Sequence, residues 1–210
     1  MEKPYSEICT GVILAGGKNT RMNGKNKATL CISGHRLVDL AYEVMNAFFD
    51  EILIISNTPE LYTDMDVPVM ADVLDIKSAL TGIHTGLFYA TRPMAFFLSC
   101  DMPFINERLA REILEYAKSG HDVVVPETEN GYEPLCALYS KKCIKPVEYN
   151  LNHDKFRIKA FYKQVNIKRL KAKTLPGYHP NVFFNVNTPE QLEEAERLIC
   201  LEDNPLLFCN

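Results

Sequence analysis

Short apolar runs alternate with helical repeats through the first two thirds of the chain, and this pattern constrains the fold more than any other feature. Uninterrupted apolar runs of four to six residues suit strands that are buried on both faces of a parallel sheet. They occupy residues 10–14, 51–56, 67–70, 95–99, 122–125 and 135–139, and apolar residues recur at helical spacing over 37–48, 83–90 and 109–117. The pattern predicts an α/β fold with a single doubly wound, mainly parallel sheet flanked by helices.

The length of 210 residues suits one domain, and we expect residues 1–210 to form a single unit. The last third is more irregular than the rest. Its clearest signal is Thr188, followed by Pro189 and Gln191, which supply an N-cap, a first-turn proline and a third-position glutamine. These features predict a C-terminal helix over 189–201.

The charge balance excludes several classes of partner. A formal net charge of −4 gives no general attraction to nucleic acid or to an anionic membrane surface. No stretch approaches the roughly 20 apolar residues that span a bilayer, and the N-terminus lacks a signal-peptide core, so we expect a cytoplasmic protein. The seven cysteines show no zinc or redox spacing.

The loop that follows the first apolar run concentrates glycine and positive charge. Gly16 and Gly17 stand where the run ends, and backbone without side-chain bulk can approach a phosphate closely. The loop matches neither the Walker A motif nor the dinucleotide fingerprint, and an ordinary solvated surface loop is the alternative. Four cations and no acid then fall within ten residues, at Lys18, Arg21, Lys25 and Lys27.

Two carboxylates follow later apolar runs. Asp101 comes two residues after the run 95–99, and Asp72 comes two residues after the run 67–70. A carboxylate at the C-terminal end of a parallel strand faces the ligand crevice, where it can hold Mg²⁺ against nucleotide phosphates. The alternatives are an N-cap for a helix that begins near Ile105 in the first case, and a turn residue in the second.

Several segments form recognisable motifs in a fixed order along residues 10–196. The first is Leu14-Ala15-Gly16-Gly17, followed by Arg21-Met22 and Lys27, which is similar to the signature of the nucleotidyltransferase superfamily. The others are Asp72, Leu80-Thr81-Gly82-Ile83, Cys100-Asp101-Met102-Pro103-Phe104, Glu133-Pro134-Leu135 and Phe184-Asn185-Val186-Asn187-Thr188-Pro189. Within the superfamily, this order of segments resembles the MobA-like molybdenum cofactor guanylyltransferases.

The resemblance implies a role for each matching residue. Asp72 would contact the nucleoside, and Asp101 would ligate Mg²⁺ beside the α-phosphate. Lys27 would bind the phosphates, with help from Arg21 and from backbone N–H groups of residues 15–17. The expected nucleotide-binding set is Leu14, Ala15, Gly16, Gly17, Lys27, Asn57, Asp72, Gly82 and Asp101, and the expected acceptor-binding pair is Asn185 and Asn187.

The implied reaction joins GMP from GTP to the terminal phosphate of molybdopterin, with Mg²⁺ as cofactor. Molybdoenzymes, or their chaperones, are the recipients that the resemblance suggests for the product. Asn26 stands where the family has an aspartate, and Ser78-Ala79 stands where it has Gly-Pro, in a loop beside the base. The second departure leaves GTP and CTP both open. A cytidylyltransferase acting on a pterin or a phosphorylated sugar or polyol, and an inactive nucleotide-binding relative, remain alternatives.

Overall fold

A computed structural model of the chain describes residues 3–16 and 30–201. The strands are β1 (Cys9–Leu14), β2 (Cys31–Ile32), β3 (His35–Arg36), β4 (Ile52–Ile55), β5 (Val69–Met70), β6 (Met94–Ser99), β7 (Val123–Thr128), β8 (Gly131–Tyr132), β9 (Cys136–Ser140) and β10 (Ile167–Lys171). The helices are α1 (Leu37–Asn46), α2 (Ala79–Tyr89), α3 (Glu107–Leu114), α4 (Ile144–Leu151) and α5 (Pro189–Leu201).

One mixed, mainly parallel sheet organises the described ranges. Its strand order is β10-β7-β9-β6-β1-β4-β5, with β8 paired to β7, and β2 and β3 form a separate hairpin. The chain builds outward from β1 through β4 to β5 and then crosses to the other side of β1 with β6. The order therefore reverses between β1 and β6, which is the position where open α/β sheets bind ligands.

Helices cover both faces of this sheet, as the apolar pattern predicts. On one face, Met45 of α1 and Ile113 of α3 pack in a core with Ile13 and Phe96. On the other face, α2 and α4 pack against the alternate side chains of the same strands, among them Phe97. Every residue of β1, β4 and β6 is buried, which explains why their sequences are apolar apart from Thr10 and Ser99.

Close helix packing depends on a glycine at one position. A Cβ atom added at Gly86 in α2 would lie 2.6 Å from a ring atom of Phe97 and 2.7 Å from Val12. The helix approaches the β1 and β6 strands to this distance only because residue 86 has no side chain. The approach brings the first turn of α2 to the same end of the sheet as Leu14, which lies 3.1 Å from a Cβ placed at Gly82.

The predicted C-terminal helix is confirmed with its capping residues. The Thr188 hydroxyl accepts a hydrogen bond from the Gln191 N–H at 3.3 Å, and the Gln191 side chain accepts one from the Asn187 N–H at 2.8 Å. Pro189 is the first helical residue. This reciprocal arrangement satisfies backbone donors on both sides of the helix start, as a capping box does.

Other expectations need correction. The run 135–139 forms β9, but β9 is antiparallel to both β6 and β7, because the chain enters it from the short β7–β8 hairpin rather than through a crossover helix. The helix expected near Ile105 begins at Glu107, and Asn106 caps it by accepting from the Leu109 N–H.

In the described part of the chain, no helix is both long and apolar enough to cross a membrane.

Candidate active site

A cavity of about 470 Å³ opens at the C-terminal ends of β1, β4 and β6. It lies at the switch point of the sheet, where Leu14 and Ser99 are register partners at the ends of adjacent parallel strands. The cavity brings together residues that the sequence places far apart. Those expected from the sequence are Leu14, Gly16, Asn57, Asp72, Gly82 and Asp101, and the others are Ile55, Ser56, Lys77, Ser78, Ala79, Ser99 and Leu135.

Asp101, which follows β6, supplies the carboxylate on that side of the cavity. The Ser99 hydroxyl donates a hydrogen bond of 2.6 Å to its Oδ1 atom, at the short end of the range for a hydroxyl bound to a carboxylate. Its backbone carbonyl accepts a hydrogen bond from the Val186 N–H at 2.8 Å. Asp101 is therefore held through both its side chain and its main chain, and it is not the N-cap of α3.

Asp72 and Asn57 form a reciprocal pair on the opposite side. The Asn57 amide nitrogen donates to Asp72 Oδ2 at 2.8 Å, and the Asp72 backbone N–H donates to Asn57 Oδ1 at 2.9 Å. Because one partner is a carboxylate and the other an N–H, only one orientation of the amide satisfies both contacts. The structure thus joins the loops that follow β4 and β5 into one wall of the cavity.

The start of α2, at Ser78-Ala79, forms the part of the cavity wall where the base is expected to bind. Ser78 caps the helix, because its hydroxyl accepts a hydrogen bond from the Thr81 N–H at 3.1 Å. Serine is a strong N-cap, whereas Gly-Pro would begin a helix by placing proline at the first helical position. Ser78-Ala79 therefore preserves the helix start by different chemistry. The preceding residue, Lys77, adds an exposed cation to the cavity.

Ala15, whose backbone N–H we expected to bind the phosphates, is hydrogen-bonded within the sheet instead. The Ala15 N–H donates to the Ile55 carbonyl at 3.0 Å, and the Ala15 carbonyl accepts from the Tyr62 hydroxyl at 3.2 Å. The sheet hydrogen bonding of β1 therefore extends through Ala15, so its N–H is not a phosphate donor in this arrangement. The first residue of the loop that lines the cavity is Gly16.

The segment 133–135, which carries the Glu-Pro-Leu motif, is bound to the end of β6. The Ser99 N–H donates to the Leu135 carbonyl at 2.9 Å, and the Tyr139 hydroxyl donates to the Pro134 carbonyl at 2.7 Å. Burial raises the pKa of the Glu133 carboxyl. These hydrogen bonds hold the Glu-Pro-Leu motif at the edge of the cavity, beside the end of β6 and Asp101.

The expected acceptor residues lie beside this cavity but do not line it. Val186 is buried between them and binds the Asp101 backbone, which places Asn185 and Asn187 one residue from that anchor. The Asn185 side chain donates to the Phe183 carbonyl at 3.0 Å. Gly17, Arg21, Asn26 and Lys27 lie outside the described residues, so the structure does not test them.

The donor set fits magnesium better than a metal held by protein ligands alone. Among the described residues, no group of three or more histidine, cysteine, aspartate or glutamate side chains is arranged to hold a metal. Mg²⁺ commonly takes one or two carboxylates and completes its shell with water and substrate phosphates. Asp101, partly exposed and oriented by Ser99, is a carboxylate of this kind.

Three contributors were missed by reasoning from sequence. Ser99 and Lys77 line the cavity, and Thr85 contacts Asp72 from within α2. Ser99 could have been found, because it lies two residues before Asp101 at the end of a predicted strand. The contact of Thr85 has no signal in the sequence, since it depends on how α2 packs against the loop after β5.

The fold and cavity define a class of protein before any relative is considered. An open α/β sheet with Gly16 after β1 and aspartates on both sides of its switch point is typical of nucleotide-binding proteins. Residues 11–169 match the MobA-like NTP transferase domain. The chain belongs to this family, and it is a nucleotidyltransferase.

Similar proteins agree along most of the chain. A molybdenum cofactor guanylyltransferase from Desulfosudis oleivorans is 36% identical over 195 residues, covering 92% of this chain and 96% of that protein. A probable molybdenum cofactor guanylyltransferase from Natranaerobius thermophilus is 35% identical, covering 90% and 96%.

Solved structures show the same fold. Molybdopterin-guanine dinucleotide biosynthesis protein A from Archaeoglobus fulgidus has a TM-score of 0.80 at 21% identity, covering 91% of this chain and 98% of that one. A 2-C-methyl-D-erythritol 4-phosphate cytidylyltransferase from Thermus thermophilus has a TM-score of 0.66 at 13% identity, covering 90% and 98%. The fold alone therefore does not select a guanine or a cytosine nucleotide.

Proposed function

We propose that this protein transfers GMP from GTP to the terminal phosphate of molybdopterin and releases pyrophosphate. The observation that carries this proposal is the cavity, which gathers Leu14, Gly16, Asp72 and Asp101 at the switch point of the sheet. These are positions at which the chain matches the guanylyltransferase motifs. Full-length relatives named for that activity share about a third of their residues with this chain.

In the proposed reaction, an oxygen of the acceptor phosphate forms a bond to the α-phosphorus of GTP. The bond between that phosphorus and the bridging oxygen breaks, and pyrophosphate leaves. Phosphate oxygens are already nucleophilic, so the reaction requires no general base. The task of the protein is to place two anions next to each other, against a repulsion of roughly 1–4 kcal/mol per pair of unit charges at 4 Å.

The residues divide this task between them. Asp101, oriented by Ser99, would hold Mg²⁺, and that ion would neutralise charge on the nucleotide phosphates. Gly16 presents unobstructed backbone to the phosphates, since a Cβ there would meet no atom closer than 3.7 Å. Lys27 and Arg21 are proposed to bind the departing pyrophosphate, and this assignment rests on their match to the family motif.

The base-binding wall offers chemistry that suits guanine. Guanine presents acceptors at O6 and N7, whereas cytosine presents an amino donor on the corresponding edge. Lys77, which precedes α2, brings an ammonium donor to the cavity that Asp72 also lines. An ammonium donor can bind the O6 and N7 acceptors of guanine but not the amino group of cytosine, and this favours GTP over CTP.

The acceptor is proposed to enter on the side of Asn185 and Asn187, because the Val186 backbone joins that segment to Asp101. Molybdoenzymes or their chaperones are proposed to take up the product, and the reaction is proposed to occur in the cytoplasm. The described residues and the segments outside them are proposed to form one domain.

Nucleotide selection with molybdopterin as acceptor tests the proposal. Purified protein, Mg²⁺ and molybdopterin are incubated with equal concentrations of GTP or CTP, and the dinucleotide product is separated and quantified. We expect guanine dinucleotide to predominate. Predominant cytosine dinucleotide would replace the proposal with the cytidylyltransferase alternative, and no product with either nucleotide would favour the inactive relative.

A further inference from the structure

A buried threonine in α2 completes a hydrogen-bonded network around Asp72. The Thr85 hydroxyl donates to Asp72 Oδ1 at 3.3 Å and accepts from the Val73 N–H at 3.1 Å. Asn57 donates to the other carboxylate oxygen. Asp72 is thus held from three elements: the loop after β4, its own loop after β5, and the second turn of α2.

Thr85 and Asp72 differ in burial, and the difference indicates the role of each. Thr85 is completely buried, whereas Asp72 lies partly exposed in the cavity wall. A ligand in the cavity can reach the carboxylate but not the threonine. Thr85 can therefore affect a nucleotide only through Asp72, while its fixed place in α2 gives that carboxylate a rigid support.

Asp72 retains the capacity to bind a ligand after these contacts are made. An ionised carboxylate can accept about four hydrogen bonds, and Asn57 and Thr85 supply one to each oxygen. The remaining acceptor capacity lies on a group whose rotation is blocked on both sides. Such a group can select a hydroxyl or N–H donor by position, because reorienting it would break an internal hydrogen bond.

We propose that Thr85 is a positioning residue for nucleotide binding, which orients Asp72 towards a donor group of the nucleoside. In this arrangement Asn57 acts in the same way, since both ends of its amide are engaged by Asp72. This inference rests on the proposed nucleotide site. It adds a residue that does not line the cavity and that the motif comparison does not include.

The test measures equilibrium binding, which needs no acceptor and no turnover. Thr85→Val keeps the shape of the side chain and removes the hydroxyl, whereas Thr85→Ser keeps the hydroxyl. With GTP in which an α,β-methylene group prevents transfer, calorimetry with Mg²⁺ should show about tenfold weaker binding for Thr85→Val. Thr85→Ser should bind within about twofold of wild type, because it restores the donor to Asp72.

A matched threonine near the N-terminal end of β1 provides the control. Thr10 is also completely buried, donates to the Glu51 carboxylate at 3.0 Å and accepts from the Arg92 N–H at 3.4 Å. Thr10→Val therefore removes the same two kinds of contact away from the cavity. It should lower thermal stability without weakening nucleotide binding, which separates positioning from a general effect on the fold.

A double-variant cycle shows whether the effect passes through Asp72. Adding Thr85→Val to Asp72→Ala should weaken binding no further, because the carboxylate that it orients is already gone. Kinetics should show a raised KM for GTP with kcat within about twofold of wild type, since the threonine does not touch the phosphates.

Two results would overturn the inference. One is unchanged binding by Thr85→Val, and the other is equal weakening by Thr85→Ser and Thr85→Val. If wild type instead binds the corresponding CTP analogue, the proposed guanine specificity fails and the same comparison is made with that analogue. Wild-type protein that binds neither nucleotide overturns the proposed function and this inference together.

Discussion

Removing the Ser99 hydroxyl is expected to weaken binding at the proposed magnesium site without damaging the fold. The hydroxyl makes a 2.6 Å hydrogen bond to Asp101 Oδ1, and Ser99 is only 7% exposed. In Ser99→Ala the carboxylate loses the contact that fixes its orientation. Loss of a hydrogen bond that orients a metal-binding carboxylate commonly changes metal affinity or activity by about 10- to 100-fold.

The structure places the expected loss near the lower end of that range. A hydrogen bond to a charged group contributes about 1.5–3 kcal/mol, which corresponds to about 10- to 150-fold. Asp101 is itself partly exposed, so water can replace part of the contact. We therefore expect kcat/KM for GTP to fall about tenfold in Ser99→Ala, and Ser99→Thr, which retains the hydroxyl, to keep most of the activity.

Two readouts distinguish metal orientation from a general loss of structure. Pyrophosphate release is measured as a function of Mg²⁺ concentration, and Mn²⁺ binding in the presence of nucleotide is measured by electron paramagnetic resonance. Both half-saturation concentrations should rise in Ser99→Ala. Ser140→Ala is the matched control, because Ser140 is 8% exposed and lies beside Met94 at the other end of β6.

If Ser99→Ala bound Mn²⁺ and responded to Mg²⁺ as wild type does, the Ser99 hydroxyl would not orient a metal ligand. If Ser140→Ala raised the metal requirement equally, the effect would come from loss of a buried hydroxyl at any place in the sheet.

Three further predictions concern turnover, packing and pH dependence. Asp101→Ala and Lys27→Ala should each lose most turnover while circular dichroism stays unchanged; wild-type turnover in either variant would remove that residue from the mechanism. Gly86→Ala should lower the free energy of unfolding by about 1–2 kcal/mol, because its Cβ would lie 2.6 Å from Phe97, and calorimetry should show a lower melting temperature. Burial raises the pKa of the Cys9 thiol from 9.0 to about 12, so the unfolded chain loses this proton at a lower pH than the folded protein does. The free energy of unfolding should therefore fall between about pH 9 and pH 12. In Cys9→Ala, chemical denaturation should show a smaller fall over the same pH range.

The sheet could be predicted from sequence where burial is complete. Residues of β1, β4 and β6 are buried on both faces, and their mainly apolar sequences follow directly from that environment. Strand direction has no such local signal, so the antiparallel β9 was not expected. The strand β10 was also missed, since it lies at the sheet edge and only Leu170 of its five residues is buried.

The site was predictable to the extent that it lies at strand ends. Asp101 follows the buried strand β6 and Asp72 follows the short, partly buried strand β5, and parallel strands bring their C-terminal ends to one edge. Hydrogen-bond partners across the fold were not predictable in this way. The engagement of the Ala15 N–H by Ile55, and the support of Asp72 by Thr85, depend on register and on helix packing.

The position of a radioactive label after reaction tests the central claim most directly. Protein, Mg²⁺ and molybdopterin are incubated in parallel with GTP labelled at the α-phosphate or at the γ-phosphate, and Asp101→Ala serves as the blank. Guanylyl transfer predicts that the α label appears in the pterin dinucleotide and that the γ label appears in pyrophosphate. Appearance of the γ label in the acceptor, or of the α label only in free GMP, would contradict guanylyl transfer.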